Sequence, residues 1–160
     1  YSCLPNFFKM IQLRKIDVDD YSQERDTLYS LVEKIWTRPE SLDNVRDSLD
    51  RWGESGTESG TYFYIEQDGD IIGLTGYFIP SLADGDFGLR HQGITVKGTG
   101  KLALDELLKY LRKFYRPDFK RLIELIPEGG EDLIKRFKSW GFKLSKEEVP
   151  DWESKRDYYK

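Results

Sequence analysis

At 160 residues, 38% hydrophobic and 14% aromatic, the chain is long enough for one real core and too rich in rings to be a disordered segment. Its 25 Lys plus Arg against 29 Asp plus Glu leave a net charge of −4, mildly repulsive to phosphate polymers, so nucleic acid is not an expected partner. The single cysteine, Cys3, excludes an intrachain disulfide and a cysteine cluster, and the single histidine, His91, excludes a histidine-rich site, so no metal is expected and a reducing cytoplasm suits the composition.

Residues 1–9 lack the basic start and apolar stretch of a signal peptide and are expected to be an N-terminal extension or an expression remnant, with residues 10–160 a single domain. No apolar run is long enough to span a bilayer, and no membrane partner is expected. Residues 10–16 alternate loosely and predict a first strand. From Asp20 a helical period sets Leu28, Leu31, Val32, Ile35 and Trp36 on one stripe. Thr37-Arg38-Pro39-Glu40 has the Thr-x-x-Glu form of a capping box, with proline inside the start of a second helix whose buried side takes Leu42, Val45, Leu49 and Trp52. Residues 53–60, made of Gly, Glu, Ser and Thr, predict a mobile loop that packs nothing.

Residues 61–67 and 71–79 are rich in tyrosine, phenylalanine and isoleucine and predict two strands joined by a hairpin at Asp68-Gly69-Asp70. A second turn over residues 81–86 feeds an extended segment from Phe87 towards Val96. Either that strand ends near Leu89–His91 and a loop follows, or it runs on to Val96. A helix comes next, with Ala103, Leu104, Leu107, Leu108, Leu111 and Tyr115 at helical spacing. Residues 121–126 read as a central strand, and Leu133, Ile134, Phe137 and Trp140 mark a last helix ended by Gly141. Residues 141–144 and 154–160 are expected to be closing strands. The order β-α-α-β-β-β-α-β-α-β-β predicts an α/β chain of mixed (α+β) type, a mixed sheet covered by helices.

Chemistry concentrates in Thr95-Val96-Lys97-Gly98-Thr99-Gly100-Lys101-Leu102-Ala103. Two glycines one residue apart, after a strand and before a helix, let backbone N–H groups converge, and the helix adds its unpaired first-turn donors and the positive end of its dipole. Phosphate matches such a site, with Lys97 and Lys101 able to add charge at its rim. A tight turn that binds nothing is the plain alternative. A nucleotide P-loop is not: position 95 is Thr95 where glycine is needed, and Leu102 stands where serine or threonine is needed. The dinucleotide pattern fails as well, for want of an acidic ribose ligand at the right distance.

This segment resembles the pyrophosphate-binding segment of GNAT acetyltransferases, whose consensus is Gln/Arg-x-x-Gly-x-Gly/Ala; Gly98 and Gly100 match, and Thr95 falls at the leading Gln/Arg. Downstream, Ile123-Glu124-Leu125-Ile126 and the later Gly141-Phe142 resemble that family's Leu-Glu-Val strand and terminal Gly-Phe, and the Asp68-Gly69-Asp70 hairpin resembles its β2–β3 turn. The resemblance implies a largely antiparallel sheet of six to seven strands covered by about four helices. It also implies acetyl-CoA as co-substrate, with Ile94, Thr95, Val96, Lys97, Gly98, Thr99, Gly100, Lys101 and Leu102 at the cofactor. Acyl-CoA would lie in the opening between the strand before the loop and the strand of residues 123–126. The activity implied is transfer of acetyl to a primary amine by direct attack on the thioester, with a backbone N–H receiving the oxygen charge and a base taking the amine proton.

Two candidates for that base follow. Glu124 lies in an apolar run, where burial would raise its pKa, and His91 lies on or beside the strand expected to face the thioester. Each has a plain reading as a paired or hydrogen-bonded side chain. Asp86 and Glu66 read as turn and solvent-side residues; Tyr77, Tyr110 and Tyr158 are candidates for a substitute acid, each more easily explained as packing. The chain departs from the family at Gly129-Gly130, where many members carry asparagine, and at Phe137, where many carry the tyrosine that protonates the departing thiolate. Phenylalanine has no proton to give. The alternatives are therefore a catalytically silent acyl-CoA-binding or partner-binding module on the same fold, or a plain interaction domain. The acceptor is a small-molecule amine or a protein or peptide amine, and the assembly state is open, a homodimer included.

Overall fold

The first predicted strand forms as β1, Ile11–Lys15, in the computed structural model, which describes residues 10–56, 59–124 and 131–143. It pairs antiparallel with β2, Thr61–Gln67, Ile11 opposite Gln67 and Lys15 opposite Phe63. β2 turns back into β3, Asp70–Ser81, through Asp68 and Gly69, which hold φ of 51° and 88°. Two successive positive φ values make the turn whose twist suits a hairpin, which is why Asp-Gly serves there. β4, Asp86–Leu89, and β5, Gly93–Ile94, both pair antiparallel with β3. With β6, Arg121–Ile123, the strand order is β1-β2-β3-β4-β6, β5 lying on β3 off this path.

The extended segment predicted from Phe87 towards Val96 is not one strand. It stops at Leu89 and resumes for two residues, Gly93–Ile94. Leu89 pairs with Tyr77 and Gly93 with Leu74, so four steps on this strand oppose three on β3. The extra residue is a bulge; Arg90 N still donates to Gly76 O at 2.9 Å, so it is His91 and Gln92 that leave the ladder's alternation. The strand ends at Leu89, as the first expected register has it, yet pairing returns at Gly93–Ile94 before the glycine loop.

Pleating sends β2 side chains to two separate cores. Tyr62 and Tyr64, with Leu74 of β3, join a cluster with Tyr21, Leu28, Leu31, Val32, Val45, Leu49 and Trp52. Those residues come from α1, Tyr21–Ile35, α2, Pro39–Asp50, and the single π turn Arg51–Ser55 that follows it. On the opposite face Ile65 and Ile72 meet Ile11 and Ala103, the last from α3, Gly100–Phe114. Phe63 meets Tyr110 of α3 edge-on at 4.9 Å. Coverage of both faces explains why residues 61–65 are all buried, a pattern that reads as continuous rather than alternating hydrophobicity. Each fully buried Leu, Ile or Phe contributes about 1.5–3 kcal/mol against exposure.

Two local expectations are corrected. The capping box is not made: Arg38, not Thr37, is the N-cap of α2, and no side chain bonds the cap. Pro39 at the first helical position starts the helix one residue late for the box, which leaves Glu40 at N2 rather than N3. The segment 53–60 is not a loop that packs nothing. Gly53 lies in the π turn under the Tyr21 ring, where a Cβ would come within 2.1 Å of Cγ. Trp52 Nε1 donates to Gly60 O at 3.3 Å, and Ser59 Oγ accepts from Ile79 N at 2.9 Å. Residues 57–58 lie outside the described ones.

The chain divides after Arg121 into two compact units. In the second, α4, Glu131–Ser139, ends as expected: Gly141 holds φ of 98°, its N–H bonds Lys138 O, and Phe142 N bonds Phe137 O at 2.9 Å. Those are the two bonds of a Schellman cap. Phe137 packs edge-on against Trp140 and Phe142 at 5.5 and 5.0 Å. Residues 141–143 leave the helix through a turn at 140–141 and hold no strand, while residues 125–126, 129–130, 144 and 154–160 lie outside the described ones. Among the described residues no helix is long and apolar enough to cross a membrane.

Candidate functional site

The glycine loop leaves β5 under tight control. Thr95 donates twice to Ile72 O, from its N at 2.7 Å and from its Oγ1 at 3.0 Å. One turn on, the Thr99 hydroxyl donates to Val96 O at 2.8 Å, and the first helical bond of α3 runs from Ala103 N to Thr99 O at 3.1 Å. Between them Gly98 holds φ of 89° with nothing within 4 Å of where a Cβ would stand. A residue with a side chain would be strained there, though not crowded.

These bonds occupy carbonyls and side chains and leave the amides. Among the described residues, Thr99 N–H closes a turn on Val96 O, and the backbone N–H groups of residues 96–98 and 100–102 have no hydrogen-bond partner. Helix geometry accounts for the last of them, since an α-helix cannot pair its first-turn donors. Thr99 and Gly100 are nevertheless buried. A buried unpaired donor costs about 1–3 kcal/mol, which at Gly100 favours an outside acceptor, while the amides of the exposed residues are open to water or a ligand. Lys97 to Gly98 are exposed, as are Val96 and Leu102 at 36% and 50%, so side chains do not pack the row away. A diphosphate, with several acceptor oxygens and negative charge at a helix N-terminus, fits this donor set. Lys101 is only partly available to it, since its Nζ sits 3.2 Å from Asp105 Oδ2 one turn along.

The other predicted residues fall as follows. Ile94 closes β5 opposite Gly73. His91 is half-buried in the bulge beside β5, its ring edge-on to Trp36 at 6.2 Å. Gly93 lies under Ile35 and Trp36, where a Cβ would come within 2.3 Å of Ile35 Cγ2. Glu124 is half-buried and follows β6 rather than lying inside it, because the strand stops at Ile123. His91 belongs to the first unit and Glu124 to the second. Asp86, expected to face solvent, is 4% exposed, and Arg121 Nε and Nη2 both bond its carboxylate. Its place at the start of β4, where Arg121 N also bonds Gly85 O, brings the two together. Glu66 is half-buried and paired with Arg14 at 2.7 Å.

Tyr77 and Tyr110 pack, as read. The Tyr77 hydroxyl shares a hydrogen bond with that of Tyr115 at 2.6 Å, and burial together with this bond pushes its pKa well up. A tyrosine so placed holds its proton and is a poor acid. Tyr158 lies outside the described residues. Among those residues no group of three His, Cys, Asp or Glu is placed to hold a metal ion. Sequence reasoning missed Gln92 and the roles of Thr95 and Thr99. Their signal is faint: polar side chains able to bond backbone, at each end of a glycine loop.

No family model and no curated protein matches the sequence. Solved structures do match the fold. The Campylobacter jejuni N-acetyltransferase PseH, in complex with acetyl coenzyme A, is 17% identical with a TM-score of 0.60, covering 94% of this chain and 95% of its own. The aminoglycoside acetyltransferase AAC(6')-Ib, in complex with coenzyme A and kanamycin, is 20% identical with a TM-score of 0.60, covering 85% and 86%. A spermidine N-acetyltransferase chimera of Vibrio cholerae SpeG and hSSAT is 13% identical with a TM-score of 0.63, covering 92% and 89%. The chain has the GNAT N-acetyltransferase fold, mixed α+β, with a largely antiparallel six-stranded sheet and four α-helices among the described residues.

Proposed function

We propose that residues 10–160 form one acyltransferase domain that moves acetyl from acetyl-CoA to a primary amine, with the CoA diphosphate on the unpaired amides of residues 96–98 and 100–102. Those amides carry the reading: six donors, on residues 96–98 and 100–102, none taken by the described protein, flank a helix N-terminus. The fold supports it, because structures sharing it include acetyltransferases in complex with acetyl coenzyme A or coenzyme A. Ile94, Thr95, Val96, Lys97, Gly98, Thr99, Gly100, Lys101 and Leu102 are the residues assigned to the cofactor.

In the reaction, a base takes a proton from the acceptor ammonium, and the freed nitrogen attacks the thioester carbonyl. Collapse of the tetrahedral adduct breaks the C–S bond, and the thiolate leaves with a proton returned from the amine side or from water. Glu124 and His91 are the proposed bases, and water supplies what Phe137 cannot. The acceptor is an amine; a small polyamine or aminoglycoside is the first class to try, since fold neighbours include spermidine and aminoglycoside acetyltransferases. A cytoplasmic setting goes with this reading, where acetyl-CoA is made and the lone Cys3 stays reduced.

The test is calorimetry with acetyl-CoA, followed by thiol release across a panel of polyamines, aminoglycosides, amino acids and peptides. Micromolar binding and transfer to at least one amine are expected. Glu124→Gln or His91→Ala should then lower kcat by about 10²-fold or more, whichever residue is the base. An absence of acetyl-CoA binding would remove the proposal. Binding without transfer to any amine would instead point to the silent module that Phe137 favours.

A further inference from the structure

We propose that Gln92 is a positioning residue for the diphosphate cradle, clamping the first residue of α3 to the centre of β3; this rests on the acyl-CoA reading above. Thr75 is wholly buried within β3, opposite Phe63 on β2, and its hydroxyl donates to Gln92 Oε1 at 2.8 Å. The other end of the same amide, Nε2, donates to Gly100 O at 3.3 Å. The orientation of the amide is dictated by chemistry, since a flipped group would set Oε1 against the Gly100 carbonyl oxygen.

The placement matters for three reasons. Gln92 is the second of the two residues, His91 and Gln92, that the bulge between β4 and β5 sets against Thr75, so its side chain is free to leave the sheet ladder. Gly100 has no side chain with which to anchor itself, and its carbonyl, which also accepts the helical bond from Leu104 N, is the handle it offers. That carbonyl shares a planar trans peptide with the Lys101 N–H, which points the opposite way. Holding Gly100 O inward on Gln92 therefore aims the Lys101 N–H outward, among the unpaired donors. Thr95 pins the start of the loop on Ile72, and Gln92 pins its end. The donors between them are pre-organised before any ligand arrives, which is where such a clamp improves affinity.

The experiment uses the full chain and coenzyme A as the probe. Gln92→Met keeps the length of the side chain and removes both bonds; it should weaken CoA binding about five- to tenfold by calorimetry. Gln92→Glu, which keeps the acceptor for Thr75 but sets a carboxylate against Gly100 O, should weaken it further. Thr75→Val should fall between, and Thr75→Ser, which retains the hydroxyl, should bind as the wild type does. In the unliganded protein, the ¹H–¹⁵N resonance of the Lys101 amide should move in Gln92→Met while those of Leu107 and Leu111, fixed in the core, stay. Loss of affinity in Thr75→Ser, an unmoved Lys101 resonance, or wild-type CoA affinity in Gln92→Met would overturn the assignment. A wild type that binds no CoA while the Lys101 resonance still moves would sink the acyl-CoA reading and leave only a structural clamp.

Discussion

Gly98 and Gly69 are a matched pair: their φ values are +89° and +88°, and neither has an atom within 4 Å of its Cβ position. An aspartate at either site meets the same left-handed strain, about 1 kcal/mol, and no clash. Melting temperature should therefore fall by about 2–4 °C in both Gly98→Asp and Gly69→Asp. The two differ in what surrounds the new charge. At Gly69 it joins a hairpin tip, whereas at Gly98 it stands among the amides assigned to the diphosphate. At about 5 Å and an effective dielectric constant between 40 and 80, each pair of unit charges repels by about 1–2 kcal/mol. Two phosphate charges make that about 2–4 kcal/mol, a loss of about 30- to 1000-fold in Kd. Calorimetry with CoA at 50 mM and 500 mM salt reads both parts, since screening should shrink the Gly98→Asp defect at high salt. Equal CoA affinities for the two variants would refute the assignment of the loop, however well each folds.

Other expectations follow from single contacts. Asp105→Asn releases Lys101 Nζ from its partner at 3.2 Å and should tighten CoA binding about two- to fivefold at low salt, an effect that calorimetry should find erased at high salt. Phe137→Tyr restores a hydroxyl at the position that resembles the family's general acid; steady-state kinetics should show kcat raised about tenfold or more with CoA affinity unchanged, and an unaltered kcat would count against that correspondence. Asp50 accepts hydrogen bonds from Tyr21 and Tyr29 and lies beside Arg25. Burial would raise its pKa, but these donors outweigh burial and hold it below the ordinary carboxylate range. The ionised form is thus favoured by folding, so its contribution is full above the unfolded-state pKa of about 3.9 and is lost as pH falls through the folded value. Asp50→Asn should cost about 1–3 kcal/mol at pH 7 and flatten the acid arm of stability, as read from urea midpoints at pH 7 and pH 3.

Where a feature depends on residues close in the chain, the sequence alone was enough. The Asp68-Gly69 hairpin, the apolar stripes of α1 and α3, and the Gly141 cap all rest on contacts within a turn or two, whose chemistry is written in adjacent residues. The glycine pair before α3 belongs with them, because unpaired first-turn amides follow from helix geometry itself. Tertiary structure decided what depends on register and on distant partners. Two residues of β3, Thr75 and Gly76, opposing three of the β4–β5 segment create the bulge that frees His91 and Gln92, and one residue of slip would have sent both side chains elsewhere. Asp86 reads as a turn residue until Arg121, 35 positions away, arrives beside it. Thr75 and Gln92 become a clamp on Gly100 only when sheet and helix have packed. Local patterns set which elements form, while pairing between segments far apart in the chain sets which polar groups meet, and the candidate site is made of such meetings.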